Sequence, residues 1–527
     1  MKNRSVLFGV LGLAVLLAGS GWLYGMHLAG GDFTYPLDDA YIHLQIARNL
    51  VESGTWGIER GVPAFASSSP LWTLVLAAFA LVFGAAEWLP LVLSYLFAAL
   101  ALVALLRFWR EAGVSPSAAA AGGVAFVVFV PFITLANLGM EHALHVCSLV
   151  AFLGFAWRCS RSDSRRDFAL TLTFAVLAVG ARYESLFVVT PVALLFLLPA
   201  AAGGFAKPKA GAALMAVQFL PVVALGLTAV ACGRPFFPVS LLLKTNVHGN
   251  QLVRGLLSLY FGLTRESVHL HVLVGLLLFA AAFRRSPFCA ALAVAAVGHG
   301  VFARLGWLYR YEAYLVAVAV MALTAIWGSG RSSGDRPAAG GLVSRYSFLL
   351  LALALAVPFV ARSFNAHYDT VVAEREINAQ QKQMGLVFAT LPAEQRGPIA
   401  VTDLGCVAYF SGVHVLDLWG LGTPEVAAAL CGGEGLADGL SALFARHGVR
   451  YFALYRGWFD LSKAAPDGRV VATLTLRHRP VICAGNCVVL GVAHAADAPA
   501  FREHLRRFSP RLPSEAQLEF TVEDDER

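Results

Sequence analysis

Apolar residues fill the first two thirds of the chain in long runs, each broken by a short charged or Pro-containing segment. The first run extends from Val6 to Leu28. Others cover 70–86, 88–106, 117–135, 141–158, 168–181, 184–199, 211–231, 267–283, 287–303, 311–328 and 346–362. A helix needs about 20 apolar residues to cross the hydrocarbon core of a bilayer, so this pattern predicts a bundle of transmembrane helices. After residue 362 the pattern changes. Strand-like runs begin at Ile399 and recur at 413–417, 449–455, 470–476 and 481–490, and Pro424 opens a short helix through Leu430. The acidic tail from Glu515 reads as a frayed terminus. The expected fold is a mainly α polytopic membrane protein, with a transmembrane domain over 1–362 and a soluble α/β domain over 363–527.

Composition supports this division. The chain is 58% hydrophobic and 14% charged, against about 25% charged in an ordinary globular domain. Lys2 and Arg4 precede the first run, which is too long for a signal-peptide core and ends without a small-residue cleavage site, so it reads as an uncleaved crossing. The net charge of +7 comes partly from short basic loops: Arg107/Arg110, Arg158–Arg166, Lys207/Lys209, Arg284/Arg285 and Arg331–Arg345. The positive-inside rule places these loops in the cytoplasm with the N-terminus. No basic stripe with interleaved aromatics appears, which sets nucleic acid aside. Parity then requires 70–86 to be re-entrant or juxtamembrane, giving about eleven crossings of the inner (cytoplasmic) membrane with the C-terminal domain extracytoplasmic. The alternative is that both 70–86 and 88–106 cross and parity is restored elsewhere.

That orientation gathers the unusual polar residues on the outer face: Asp38, Asp39, Glu141, His142, Arg182, Glu184, Lys244, Arg304 and Arg310. The first outer loop, about residues 30–69, contains Tyr35-Pro36-Leu37-Asp38-Asp39-Ala40-Tyr41-Ile42-His43. A helical pattern follows, with Ile42, Ile46, Leu50 and Val51 on one face. Two adjacent carboxylates at a membrane surface repel each other and are partly desolvated, and both effects raise a pKa toward that of a useful general base. Asp38 also reads as a plain N-cap. Glu141 is either a second acid at the site or a helix-start acid favoured by the macrodipole. Arg182 either pairs with Glu184 or grips a phosphate. Lys244, after the Pro- and Phe-rich segment 235–238, is an interfacial anchor or a phosphate clamp. Arg310, on the outer side against the charge trend, calls for an anionic partner. Together these groups could supply a base for an acceptor hydroxyl, cations for a departing phosphate and an apolar groove for a carrier lipid.

In the C-terminal domain, Asp403 and Asp417 sit at strand ends, where sites and turn caps both occur. Trp419, Tyr455 and Trp458 are candidates for stacking on sugar rings or for core packing. Four of the eight cysteines, Cys406, Cys431, Cys483 and Cys487, fall here. Their spacing leaves three pairings open, and a disulfide fits an oxidising compartment better than a metal does. No metal-ligand set is evident, so no cofactor is expected; a divalent metal stays open but is not indicated.

The segments Asp38-Asp39-Ala40-Tyr41-Ile42 and Ser68-Ser69-Pro70-Leu71-Trp72 resemble GT-C membrane glycosyltransferases. The likeness is greatest to the arabinofuranosyltransferases that use decaprenyl-phosphate arabinose, and extends to related polyprenyl-phosphate-sugar mannosyl- and aminoarabinosyltransferases. Gly139-Met140-Glu141-His142 is similar to a Gly-Leu-Glu-Thr segment of such proteins. Pro238 to Lys244 is similar to their Pro-Asn-x-x-x-x-Lys loop, with Val239 in place of Asn. The resemblance implies inverting transfer of a sugar, arabinofuranose among them, from a polyprenyl-phosphate carrier to an envelope glycan, lipid or protein. It gives Asp38 the general-base role and Asp39 a supporting one. Arg182, Lys244 and Arg310 would contact the carrier phosphate, and Tyr41, Glu141, His142 and Glu184 complete the expected substrate-binding set. The competing expectations are a transporter or flippase of lipid-linked sugars and a non-catalytic glycan-binding scaffold.

Overall fold

A computed structural model of the chain describes residues 32–198, 207–246, 268–329, 342–432 and 439–521, with Gly19 and Leu436. Apart from Gly19, the expected first crossing lies outside these residues. The later apolar runs form helices, among them Pro70–Phe83, Leu89–Glu111, Pro116–Phe129, His142–Arg161, Arg165–Ala181, Leu186–Leu197, Val268–Phe283, Pro287–Phe302 and Ala313–Gly328. Several begin in the same way. Ser69, Ser115 and Ser286 each accept a backbone N–H three residues on, and a proline follows each serine at the first helical position. A serine cap satisfies one orphan donor, and proline there has no N–H to leave unpaired. Among the described residues, Leu89–Glu111, His142–Arg161 and Pro208–Ala231 are long and apolar enough to cross a membrane. Leu96 and Leu227 are exposed on two of these helices, and Leu278, Phe279 and Val294 on shorter apolar ones, as suits a lipid-facing surface. The chain is a multi-pass membrane protein.

By compactness the chain forms two units. The first comprises residues 1–21, 91–224 and 250–368. Its interior holds charge as well as hydrocarbon. Glu312, fully buried, lies 3.2 Å from Arg362 and 3.1 Å from His269. Arg362 also donates to the carbonyls of Phe129 (2.7 Å) and Tyr309 (2.6 Å). These bonds hold an uncommon turn in which Gly306, Trp307, Leu308 and Tyr309 all have positive φ. Left-handed backbone costs non-glycine residues roughly 1–2 kcal/mol each. The Glu312 carboxylate, accepting from the Gly306 amide at 3.1 Å, and the Arg362 bond to Tyr309 offset that strain.

The second unit comprises residues 22–90, 225–249 and 369–527. Its centre is a six-stranded mixed sheet of order β2-β1-β3-β5-β4-β6. The strands are β1 (Ile399–Val401), β2 (Val415–Asp417), β3 (Tyr451–Tyr455), β4 (Arg469–Leu476), β5 (Cys487–Val492) and β6 (Ala516–Phe520). β1 is parallel to both β2 and β3, while β3, β5, β4 and β6 pair antiparallel. Ala400, Leu416, Phe452, Leu454 and Val489 pack with Val426, Leu440 and Phe444 of the covering helices.

Three details differ from the sequence reading. The tail is not frayed from Glu515: Ala516–Phe520 pairs with β4, because Ala516, Leu518 and Phe520 alternate in the period a strand needs. The expected strand over 481–490 starts only at Cys487. Before it, the amides of Val481 (2.8 Å), Ile482 (2.8 Å) and Cys483 (3.4 Å) turn in to the buried Glu376 carboxylate. All eight cysteines are free thiols. Cys483 donates to Gln381 instead, at 3.3 Å.

Glu376 closes the 36-residue helix Leu342–Ile377, and a π-turn, Asn378–Lys382, follows it. Since Glu376 is the acceptor for several buried amides, Glu376→Ala should lower the unfolding free energy of the sheet unit by about 3 kcal/mol or more. Thermal unfolding of the purified protein checks this, and Glu376→Gln should lose less.

Candidate active site

β1 leads to β2 on one side and β3 returns on the other side of β1, so the chain reverses direction across the sheet between β1 and β3. Ligands of open α/β sheets sit at the carboxyl ends of the strands beside such a switch point. Asp403 lies two residues past β1 and Tyr455 ends β3. The Tyr455 hydroxyl donates to Asp403 Oδ2, and Gln381 Nε2 donates to the same oxygen at 2.7 Å. Gln381 comes from the π-turn, an interruption that often marks functional positions in helices. Burial raises the Asp403 carboxyl pKa, the Asp39 charge adds to the rise, and the two donors oppose it.

Asp38 belongs to the same unit and reaches the same edge. It precedes the helix Asp39–Ser53, yet its side chain makes no bond to that helix. Instead Oδ2 accepts the Gly405 amide at 2.6 Å and Oδ1 accepts the Cys406 amide at 2.7 Å. Asp38 thus caps another helix, Gly405–Ser411, 367 residues away along the chain. The contact requires glycine: a Cβ on Gly405 would lie 2.1 Å from the Asp38 carbonyl oxygen. Burial pushes the Asp38 carboxyl up to about 7, with the Asp403 charge adding to the rise and the two amide bonds opposing it. A carboxylate has about four lone-pair positions, so two amides leave capacity for a further proton or hydroxyl.

The other expected site residues fall into two groups. Tyr41, in the unit of Asp38, is fully buried, and its hydroxyl donates to Glu87 Oε1 at 2.6 Å. Lys244 lies in the helix Val239–Asn246, where Val239 and Leu243 pack on Ala427; its side chain is outside the described residues. In the first unit, Arg182 and Glu184 pair as the first of their two readings expects. Arg182 Nη2 and Nε engage Glu184 at 2.5 and 3.2 Å, and Nη1 engages Glu141 at 2.5 Å. Glu141 stands at the cap position of the helix His142–Arg161 without a side-chain cap bond, so the guanidinium rather than the macrodipole is its main partner. His142 is buried beside it in sequence. Arg310 is buried and donates to the Tyr311 hydroxyl at 3.2 Å. The Tyr311 ring has Arg182 Cζ 5.4 Å and Arg310 Cζ 5.0 Å from its centroid, so these two cations share one aromatic neighbour.

Sequence reasoning missed Gln381, Tyr455 and Gly405 as members of the Asp38 surroundings. The one available signal was Asp403-Leu404-Gly405 directly after a strand. Asp417 is the turn cap it was weighed as: its oxygens accept the amides of Trp419 and Gly422, both at 2.8 Å.

Residues 371–491 match a family model described as "Domain of unknown function (DUF8728)". No curated protein matches the chain in sequence. Solved structures match it in fold. ArnT from Cupriavidus metallidurans, bound to undecaprenyl phosphate, is similar with a TM-score of 0.56 at 14% identity, over 93% of this chain and 99% of that one. The oligosaccharyltransferase of Archaeoglobus fulgidus is similar with a TM-score of 0.54 at 13% identity, over 89% of this chain and 72% of that one. The chain shares its fold with these two solved structures.

Gly405→Ala should break the Asp38 clasp. Losing a hydrogen bond to a charged group, worth about 1.5–3 kcal/mol, should speed amide exchange in 404–411 and 38–44 roughly ten- to hundredfold. Exchange in β3 should not change. Hydrogen-exchange mass spectrometry reads both.

Proposed function

We propose that this protein is a glycosyltransferase that moves a sugar from a polyprenyl-phosphate carrier to a hydroxyl acceptor, with Asp38 as the general base. The observation that carries this reading is the Asp38 carboxyl, fixed by two amides beside Asp403 and brought close to neutrality. A base with a pKa near the working pH transfers protons most effectively. A GT-C fold similar to that of a protein bound to undecaprenyl phosphate supports the choice of donor class.

In the proposed reaction the acceptor oxygen attacks the anomeric carbon and its proton passes to Asp38. The bond from that carbon to the phosphate oxygen breaks, and its electron pair leaves with the polyprenyl phosphate, inverting the anomeric centre. Asp39 and Asp403 hold negative charge near Asp38 and strengthen it as a proton acceptor. Lys244, in the unit of Asp38, is the proposed contact of the carrier phosphate. Arg182, with three donor bonds already committed to Glu141 and Glu184, is reassigned to holding its own unit together. The basic loops, cytoplasmic by the positive-inside rule, support a reaction at the extracytoplasmic face of the inner membrane. Arabinofuranose is the sugar to test first, since the loop motifs resemble those of arabinofuranosyltransferases.

Purified protein incubated with a panel of polyprenyl-phosphate sugars should release polyprenyl phosphate. Asp38→Asn should reduce that release by about 10²–10⁴-fold while the protein still folds, and retained activity in the variant would remove the base assignment. The reacting form is the ionised carboxylate. Turnover should therefore rise with pH through about 7 and level off above it, and a rate profile falling over that range would contradict the role.

A further inference from the structure

Two large aromatic side chains stand in the open on the carboxyl edge of the parallel strands. Trp419 follows β2 and is 42% exposed; Trp458 follows β3 and is 44% exposed. Their rings lie 5.9 Å apart at 44°, and the Tyr455 ring lies 5.0 Å from Trp458. Exposed indoles often sit on loose loops, but both of these have anchored backbones. The Trp419 amide donates to Asp417 Oδ1 at 2.8 Å, and the Trp458 amide donates to the Tyr455 carbonyl at 3.2 Å. Gly420 and Gly457 supply positive φ beside them, at 88° and 79°, which sharp turns of this kind need.

The loop carrying Trp458 also borders a cavity of about 410 Å³, lined in part by Tyr455, Arg456, Gly457, Phe459, Thr473 and Thr521. That volume lies within the roughly 300–1,000 Å³ of small-ligand sites. The lining combines apolar side chains, Leu454, Phe459 and Val489 among them, with the Arg456 guanidinium and the Thr473 and Thr521 hydroxyls. Trp458 is flanked in the chain by exposed Arg456 and Asp460, a setting for water rather than hydrocarbon. Tyr455 joins this surface to the reactive edge: its ring lies tilted against Trp458 while its hydroxyl bonds to Asp403.

We propose that Trp419, Trp458 and the adjoining cavity form a saccharide subsite that holds the acceptor chain. The apolar face of a sugar ring packs on an indole, while Arg456 and Thr473 bond its hydroxyls. Aromatic platforms bind with little loss of conformational freedom, and anchored backbones reduce that loss further. Assigning the bound chain as acceptor rests on the transferase reading; the binding itself does not.

The test uses full-length protein in nanodiscs with arabinobiose, mannobiose and galactobiose as probes, read by saturation-transfer NMR without donor. At least one disaccharide should receive saturation on its ring protons. Trp419→Ala and Trp458→Ala should each weaken binding by about tenfold, whereas Trp458→Tyr, which keeps a ring face, should weaken it by no more than about threefold. Failure of all three probes to bind at millimolar concentration, or binding unchanged when both tryptophans are replaced by alanine, overturns the subsite. Quenching of these two indoles by brominated acyl chains also overturns it, since that identifies a membrane-interface belt. A protein that binds saccharide yet releases no polyprenyl phosphate overturns the transferase reading and leaves the subsite standing.

Discussion

Within the sheet unit, the clasp between the Asp38 carboxylate and the amides of Gly405 and Cys406 is the contact on which the proposed chemistry depends. It joins a loop near the start of the chain to a helix that follows the first strand of the sheet. Each carboxylate oxygen takes one amide, so the group can neither rotate nor turn back to cap its own helix. The clasp also brings Asp38 beside Asp403, and like charges in a desolvated place raise the affinity of both for a proton. Position and basicity therefore share one cause. Cβ-free Gly405 is what permits the approach.

The same physical device recurs in this unit. Glu376 gathers successive amides before β5, and Asp417 gathers those of Trp419 and Gly422. Buried carboxylates satisfied by backbone donors tie the chain together where a short sheet of three-residue strands, such as β1 and β2, offers few ladder bonds. A backbone amide is a fixed donor, so each such carboxylate also sets the orientation of the loop around it. The exposed Trp419 at the carboxyl edge inherits its placement from one of these turns.

The helical unit manages charge in another way. Arg182 serves Glu141 and Glu184, and Arg362 serves Glu312 along with two carbonyls. Charges buried among apolar helices are tolerated when the partners and geometry are good, and removing one partner leaves an uncompensated charge that is far more costly than the pair. The left-handed turn at Gly306–Tyr309 persists because Glu312 and Arg362 bind its two ends. Arg182 makes three donor bonds to Glu141 and Glu184 and so ties its own unit together.

The amino-acid sequence by itself determined the apolar helices, their Ser-Pro starts, the break at Arg182–Ser185, the change to an α/β domain after the last apolar run, and the prominence of Asp38. These are local properties: run length, period, and the residues that can begin or end a helix. It also placed Asp403 and Asp417 at strand ends, and offered Trp419 and Trp458 as stacking or core residues, without choosing their roles. Only the tertiary structure decided that Asp38 caps a distant helix rather than its own, that Asp403 stands beside it with Tyr455 and Gln381, that Cys483 pairs with Gln381 and not with Cys487, and that Ala516–Phe520 completes the sheet. Each of those outcomes depends on donors and acceptors far apart in the chain. Residue type and spacing name the groups able to form such a bond, but the partner is selected by which backbone amides the folded chain leaves pointing at them.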